Sequence, residues 1–301
     1  MLDYLRTTKE KTIFFVLSAL LFVLLLLIRY LLLPLCWTES DLDWGKVLRA
    51  LADAITHTVL TTALITALLL WLLPARARPG DVTLIASGEI RHHLKESVRN
   101  TREYRFRGRS GRFFRSYVLP NLAKDAKAQN RKVRVRVQVL DPRATNICER
   151  YAEYRNKLRQ EDGDAWTPER IRNESVATIV AAYAWASDHY PVEISVSLNH
   201  WFSLFRLDQS DGVAVLTRED PQAPAIMASK GTSFYDSFSM DFDLSDEQSA
   251  RLGIAKTLAP DVTTESSVEK LMADLKICVP LGEADLKYIV DAVKSPKDPY
   301  G

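Results

Sequence analysis

The chain has 301 residues, with 40 Lys and Arg against 38 Asp and Glu for a net charge of +2, and a hydrophobic fraction of 47%. Its three cysteines, Cys36, Cys148 and Cys278, are scattered, which excludes a disulfide framework and any metal or redox site built on cysteine spacing. The near-neutral total hides an asymmetry: nine Lys or Arg residues fall between Arg91 and Arg115, while from Asp236 onward acids outnumber bases thirteen to seven.

Two apolar runs open the chain, at 13–35 and 47–73. A bilayer core takes roughly 20 apolar helical residues to cross. Both runs reach that length, so the sequence predicts a transmembrane hairpin within 1–79. The first run is interrupted only by Ser18 and Arg29, and is too long and leucine-rich for a signal peptide. The second carries Arg49, Asp53 and His57 at i, i+4 spacing, with Thr56, Thr58, Thr61, Thr62 and Thr66 adding a polar stripe. Two readings of that face stand. The charges lie in the outer turns while threonine hydroxyls bond their own backbone, or Asp53, His57, Thr58 and Thr61 face the interior of an assembly of hairpins. Arg6, Lys9 and Lys11 before the first run, Arg76 and Arg78 after the second, and an acidic link between them predict a multi-pass protein of the inner membrane with both termini cytoplasmic.

Residues 80–301 then predict one cytoplasmic α/β domain with a mixed sheet. Strands are expected at 82–87, 104–108 and 132–142, the last with Val133, Val135, Val137 and Val139 on one face and Arg134, Arg136 and Gln138 on the other. Helices are expected at 89–100, at 110–129 with a bend at Pro120, at 144–159, and at 168–189 with proline in its first turn. Three further strands follow at 192–198, 203–208 and 213–218. The stretch 232–252 is ambiguous, and helices at 266–277 and 282–293 close the chain.

The order strand, helix, FRGRSGRFFRSYVLPNLA, KVRVRVQVLDP, CERYAEYR and then VEISVSL, SLFRLD and DGVAVLT resembles the phospholipase D-like fold over roughly 81–217. That family's active site needs His-x-Lys-x4-Asp. Here His200 is followed by Phe202 in place of lysine, and only Asp208 matches the carboxylate. His93 and Lys95 supply half the motif, but Asn100 stands where the aspartate belongs and the segment reads as helix. The resemblance therefore implies a retained fold with its chemistry lost. A degenerate domain of this kind behind two membrane helices resembles the two-transmembrane effectors of bacterial antiphage systems, in particular the retron type. That resemblance implies a toxin that disrupts the inner membrane in abortive infection when a partner, a reverse transcriptase with its RNA and DNA, releases it. The lipid bilayer and a homo-oligomer through the membrane helices would be its other partners.

The densest local signal is Arg107-Gly108-Arg109-Ser110-Gly111-Arg112. Two glycines permit close backbone approach and arginines surround the turn, a combination suited to phosphate or another anion. Arg105 and Arg115 extend the patch. It is neither a Walker motif nor a dinucleotide fingerprint, and no cofactor is implied. The alternative is an ordinary glycine turn whose arginines are solvated or paired with the acidic tail. Tyr104, Phe106, Phe113 and Phe114 alternate with these arginines, as in a stacking platform or, alternatively, in a core. Asp141 ends its strand at the edge where α/β sheets present functional groups, although Asp-Pro is also a common turn. Besides the effector, two functions fit: a membrane-tethered phosphodiesterase using Asp141, Asp208 or His93 with Lys95, and an anchored module that binds nucleic acid or a protein complex.

Overall fold

A computed structural model describes residues 16, 19–20, 22–24, 27, 44–72, 81–158, 165–186, 190–220 and 222–298. The chain divides into two compact units, Met1–Arg78 and Pro79–Gly301.

In the first unit, helix α1 (Trp44–Leu72) covers most of the second apolar run. Most of the first run, and the acidic link after it, lie outside the described residues. Among the described residues no helix is long and apolar enough to cross a membrane. This corrects the expected transmembrane hairpin, and with it the multi-pass inner-membrane placement and the two-transmembrane effector architecture. Helix α1 carries Lys46, Arg49, Asp53 and His57 in its first half and five threonines along its length. Of the polar face, Asp53 is half-buried, His57, Thr58 and Thr61 are exposed, and the Thr58 hydroxyl donates to the Ala54 carbonyl at 2.8 Å. Val47, Leu51, Ile55, Leu60, Leu64 and Ile65 are exposed along the same helix.

The second unit is built on one eight-stranded mixed sheet in the order β1-β7-β6-β5-β2-β3-β4-β8. Its strands are β1 (Thr83–Ile85), β2 (Glu103–Arg107), β3 (Val133–Leu140), β4 (Val192–Asn199), β5 (Phe205–Ser210), β6 (Val213–Arg218), β7 (Ala225–Ser229) and β8 (Ala250–Arg251). Strands β2, β3 and β4 run parallel. Antiparallel β5, β6, β7 and β1 extend the sheet on one side, and antiparallel β8 closes the other. The mixed α/β expectation for this region holds. Strand β7, at 225–229, was not expected, and the ambiguous 232–252 stretch is chiefly a helix.

Period-2 alternation gives the sheet two unlike faces. On one, Tyr104 and Phe106 of β2, the four valines of β3, and Val196 and Leu198 of β4 are fully buried. Helices α2 (Ile90–Ser97), α3 (Leu119–Ala128) and α5 (Pro168–Trp185) pack there, with α4 (Thr145–Lys157) and α8 (Glu283–Lys294) against α5, and α7 (Glu265–Asp274) beside α8. Helix α5 is enclosed by neighbours on most sides, which is why it buries thirteen of its residues with little amphipathic pattern. A π-helical turn, Phe114–Val118, leads into α3 and sets Phe114 flat on Phe106, with ring centroids 4.3 Å apart. The opposite face is polar, with Arg105, Arg107, Arg136, Gln138 and Gln209, and a single helix, α6 (Ser233–Glu247), covers it.

Candidate anion site at the glycine turn

Strands β2, β3, β4 and β6 all end at one edge of the sheet, since β6 runs parallel to β2 through the intervening antiparallel β5. That is the edge where α/β sheets hold ligands. The Gly108–Gly111 turn leaves β2 there, Asp141 ends β3, His200 follows β4, and Glu219 follows β6.

Both glycines of the turn are required by its geometry. A Cβ at Gly108 would fall 2.2 Å from the Phe106 ring. Gly111 has φ +60°, and a Cβ there would meet Thr178 Oγ1 at 2.5 Å. From beneath, the Ser110 carbonyl accepts from Thr178 Oγ1 at 3.0 Å and Arg115 Nη1 at 2.7 Å. Arg115 is itself buried against the Glu174 carboxylate, which also accepts from Tyr288 at 2.8 Å. Burial next to Glu174 pushes the Tyr288 phenol up to about 12. Arg115 is thus a strut of the turn, not a ligand-facing residue.

Above the turn lies a cavity of about 170 Å³ lined by Arg109, Ser110, Gly111 and Arg112, by Arg155, Arg206 and Arg218, and by Glu219 and Asp220. Arg109 is 4% exposed and meets Glu219 at 2.6 Å, while its Nη1 donates to the Ser203 carbonyl. Glu219 also accepts from Tyr151 at 2.7 Å and pairs with Arg155. Burial alone would raise the Glu219 carboxyl, but Arg109 and Arg155, with the Tyr151 hydroxyl, hold it down at about 2. Arg206 pairs with the buried Asp208 at 2.6 Å and lies over the Phe106 and Phe113 rings. Arg112, Arg155 and Arg170 all converge on Trp166, at 5.1, 4.6 and 4.3 Å from its ring centre. Five arginines line the cavity and Arg115 lies beneath it; against these six stand Glu219, Asp220, Asp208, which pairs with Arg206, and Glu174, which pairs with Arg115 and stands 4.0 Å from Arg112, so positive charge is in excess by two. An indole face stabilises one guanidinium, but it does not neutralise three.

The structure therefore separates the predicted residues. Arg109, Ser110, Gly111 and Arg112 line the cavity, Gly108 keeps the turn tight, and Arg115 supports it. Arg105 and Arg107 lie on the other sheet face, where they pair with Asp243 at 3.6 Å and Asp241 at 2.5 Å, the alternative of pairing with the acidic stretch that the sequence left open. Arg155, Arg206, Arg218, Trp166 and Glu219 were missed. Arg218-Glu219-Asp220 follows a predicted strand end, which is the only signal that pointed there. Asp141 is fully buried and accepts from the Arg143 backbone at 2.9 Å and its guanidinium at 2.8 Å, which makes it a turn anchor. His200 Nδ1 stands 3.6 Å from Asp141. Asp208 accepts from the Tyr104 hydroxyl at 2.9 Å inside the core. The aromatic residues Tyr104, Phe106, Phe113 and Phe114 are all fully buried, so they belong to packing and not to a stacking surface.

No family model and no curated protein matches the chain. Among solved structures, TrmBL2, an archaeal chromatin protein whose structure shows a novel mode of DNA binding, is similar over 69% of this chain and 66% of its own, at 11% identity and a TM-score of 0.31. The chain thus spans just under two thirds of that protein, and a likeness at this level carries no argument about fold or activity. The resemblance to retron-type antiphage effectors with a degenerate phospholipase D-like domain is overturned, because the membrane helices on which it depended are not found among the described residues.

Proposed function

We propose that the Pro79–Gly301 unit is a binding module for a phosphorylated ligand, with its site at the Gly108–Arg112 turn. The observation that carries this reading is the surplus of guanidinium groups around a cavity large enough for a phosphoryl group. Binding, not turnover, fits the residues present. A general base has to sit near neutral pH, and the carboxyl best placed for that work, Glu219, is held at about 2 as a permanent anion between two arginines. No histidine or cysteine is among the residues lining the cavity. Nothing among the described residues bears on the membrane-disrupting effector activity expected from the sequence.

The test is calorimetric titration and thermal unfolding of the full chain with inorganic phosphate, pyrophosphate and a nucleoside monophosphate at low salt. Saturating ligand at about 100 times Kd should add about 2.7 kcal/mol of stability. Arg112→Glu with Arg218→Glu should remove that increment while leaving the unliganded protein folded. Absence of any increment with all three anions refutes the proposal.

A further inference from the structure

The polar face of the sheet is covered in an unusual way. Helix α6 buries Asp246 towards the sheet, while Met240 is 65% and Leu244 55% exposed on its outer side. Its inner contacts are largely ionic and polar. Asp241 meets Arg107 at 2.5 Å, Asp243 meets Arg105 at 3.6 Å and also pairs with Arg136, and Asp246 meets Arg136 at 2.9 Å. The Gln138 amide donates to the Phe242 carbonyl at 2.9 Å and the Gln209 amide to Ser239 Oγ at 2.6 Å. Phe242 is fully buried against Leu207 and Ala214, with Tyr235 and Phe238 partly buried beside it. The opposite face of the sheet, by contrast, is sealed by a continuous apolar core.

With α6 removed, the exposed face would be a nucleic-acid surface in composition. Arg105 and Arg136 are register partners on adjacent parallel strands, and Arg107 lies two residues on from Arg105. That spacing is about 6.6 Å along the strand, similar to the phosphate repeat of an extended single strand. Gln138 and Gln209 offer amides for base edges. Phe205 shares the face with Leu207 and Gln209 and is exposed, as is Trp201, which the Arg107 guanidinium overlies at 5.7 Å. Arginines interleaved with aromatic rings on an open sheet are the elements that hold single strands.

We propose that α6 is a displaceable acidic cover, and that the arginine face beneath it binds a single-stranded nucleic acid in competition with the helix. Asp241, Asp243 and Asp246 occupy the arginines as phosphates would. The face is distinct from the cavity at the glycine turn, and the two stand or fall separately.

The experiment compares the full-length chain with D241N/D243N, whose two carboxylates are 61% and 47% exposed, so that their replacement leaves the fold intact. The probe is a fluorescent oligothymidylate titrated over a range of salt. The double variant should bind more tightly than wild type at low salt, on the order of tenfold. Its log K against log salt should steepen by about 2, as three arginines meeting phosphates require. Adding R105Q/R107Q to the double variant should cancel the gain. Equal affinity of wild type and D241N/D243N overturns the proposal, and so does a gain that survives R105Q/R107Q. Hydrogen exchange on the unmodified chain gives a second reading: oligothymidylate should strip protection from 233–247 and leave 133–140 protected, and α6 amides that stay protected at saturation overturn it as well.

Discussion

Glu219→Gln is the substitution that most directly probes the electrostatics of the glycine-turn cavity. The side chain is 16% exposed and lies between Arg109, Arg155 and the Tyr151 hydroxyl. Its carboxyl stands at about 2, against an ordinary 4.5. At about 1.36 kcal/mol per pH unit, this difference corresponds to about 3 kcal/mol of folding stability. Breaking a buried ion pair from one side costs about 3–5 kcal/mol by mutational experience, so the two routes agree. The sign follows from the direction of the shift. A carboxyl whose folded value lies below its unfolded one contributes fully at neutral pH, and that contribution is lost as pH falls from about 4.5 towards 2. Urea unfolding of wild type and E219Q should therefore differ by about 3 kcal/mol at pH 7 with equal m-values, and the gap should close progressively below about pH 4.5. The same substitution leaves Arg109 and Arg155 without their counterion, so phosphate should stabilise E219Q more than it stabilises wild type. A gap below about 1 kcal/mol at pH 7, or one indifferent to pH, would refute the assignment of Glu219 as the keystone of the cavity. Equal response of both proteins to phosphate would refute the anion site itself.

Two further substitutions separate the turn from the core beneath it. Gly111→Ala forces a side chain into a left-handed backbone and against Thr178 at 2.5 Å. It should cost about 2 kcal/mol or more in chemical unfolding and lower phosphate affinity by moving the turn. Tyr104→Phe removes the hydroxyl that donates to Asp208 at 2.9 Å in the core, at a cost of about 1–3 kcal/mol, and should leave phosphate affinity unchanged. If Y104F weakens the anion as strongly as R112E/R218E does, the ligand is not held at the turn.

Much of the domain was legible because alternation and turn chemistry act locally. The strict Val and Arg alternation of β3 assigned both faces of the sheet correctly, and Pro168 marked the start of α5. Strand β7 was missed because AIMAS is short and its alternation weak; its place is fixed by antiparallel pairing with β6 and β1, a non-local property. Stretch 232–252 was ambiguous because the sheet-facing Tyr235, Phe238 and Phe242 of α6 are interleaved with the exposed Phe234, Met240 and Leu244, so its helical period gives no clear core face. The transmembrane hairpin was read from length and apolar content alone; among the described residues no helix is long and apolar enough to cross a membrane, and most of the first run lies outside them. At the site, the glycine turn was visible as a motif. Its partners from β5, β6 and α4 were not, because sheet order and helix packing bring them together across sequence separations of forty residues and more.

The basic stretch 91–115 looked like one patch in the sequence, yet strand geometry divides it. Inside β2, residues of odd number point to the α6 face, so Arg105 and Arg107 meet Asp243 and Asp241 there. Once the chain leaves β2 at Gly108, alternation ends, and Arg109 and Arg112 turn towards the cavity instead. The acidic C-terminal stretch therefore reaches Arg105 and Arg107, and through Asp298 also Arg91 at 2.8 Å, while the cavity's Arg109 is met by Glu219 instead. Helix α6 lies on the far side of the sheet from the cavity, and the sole carboxylates lining the cavity, Glu219 and Asp220, come from the end of β6. A chain with nearly balanced charge thus keeps a local positive surplus, because the sheet stands between its basic turn and its acidic helix. Salt should distinguish the two places: raised ionic strength loosens α6, whose Asp241 and Asp243 are exposed, far more than it weakens the enclosed Arg109–Glu219 pair.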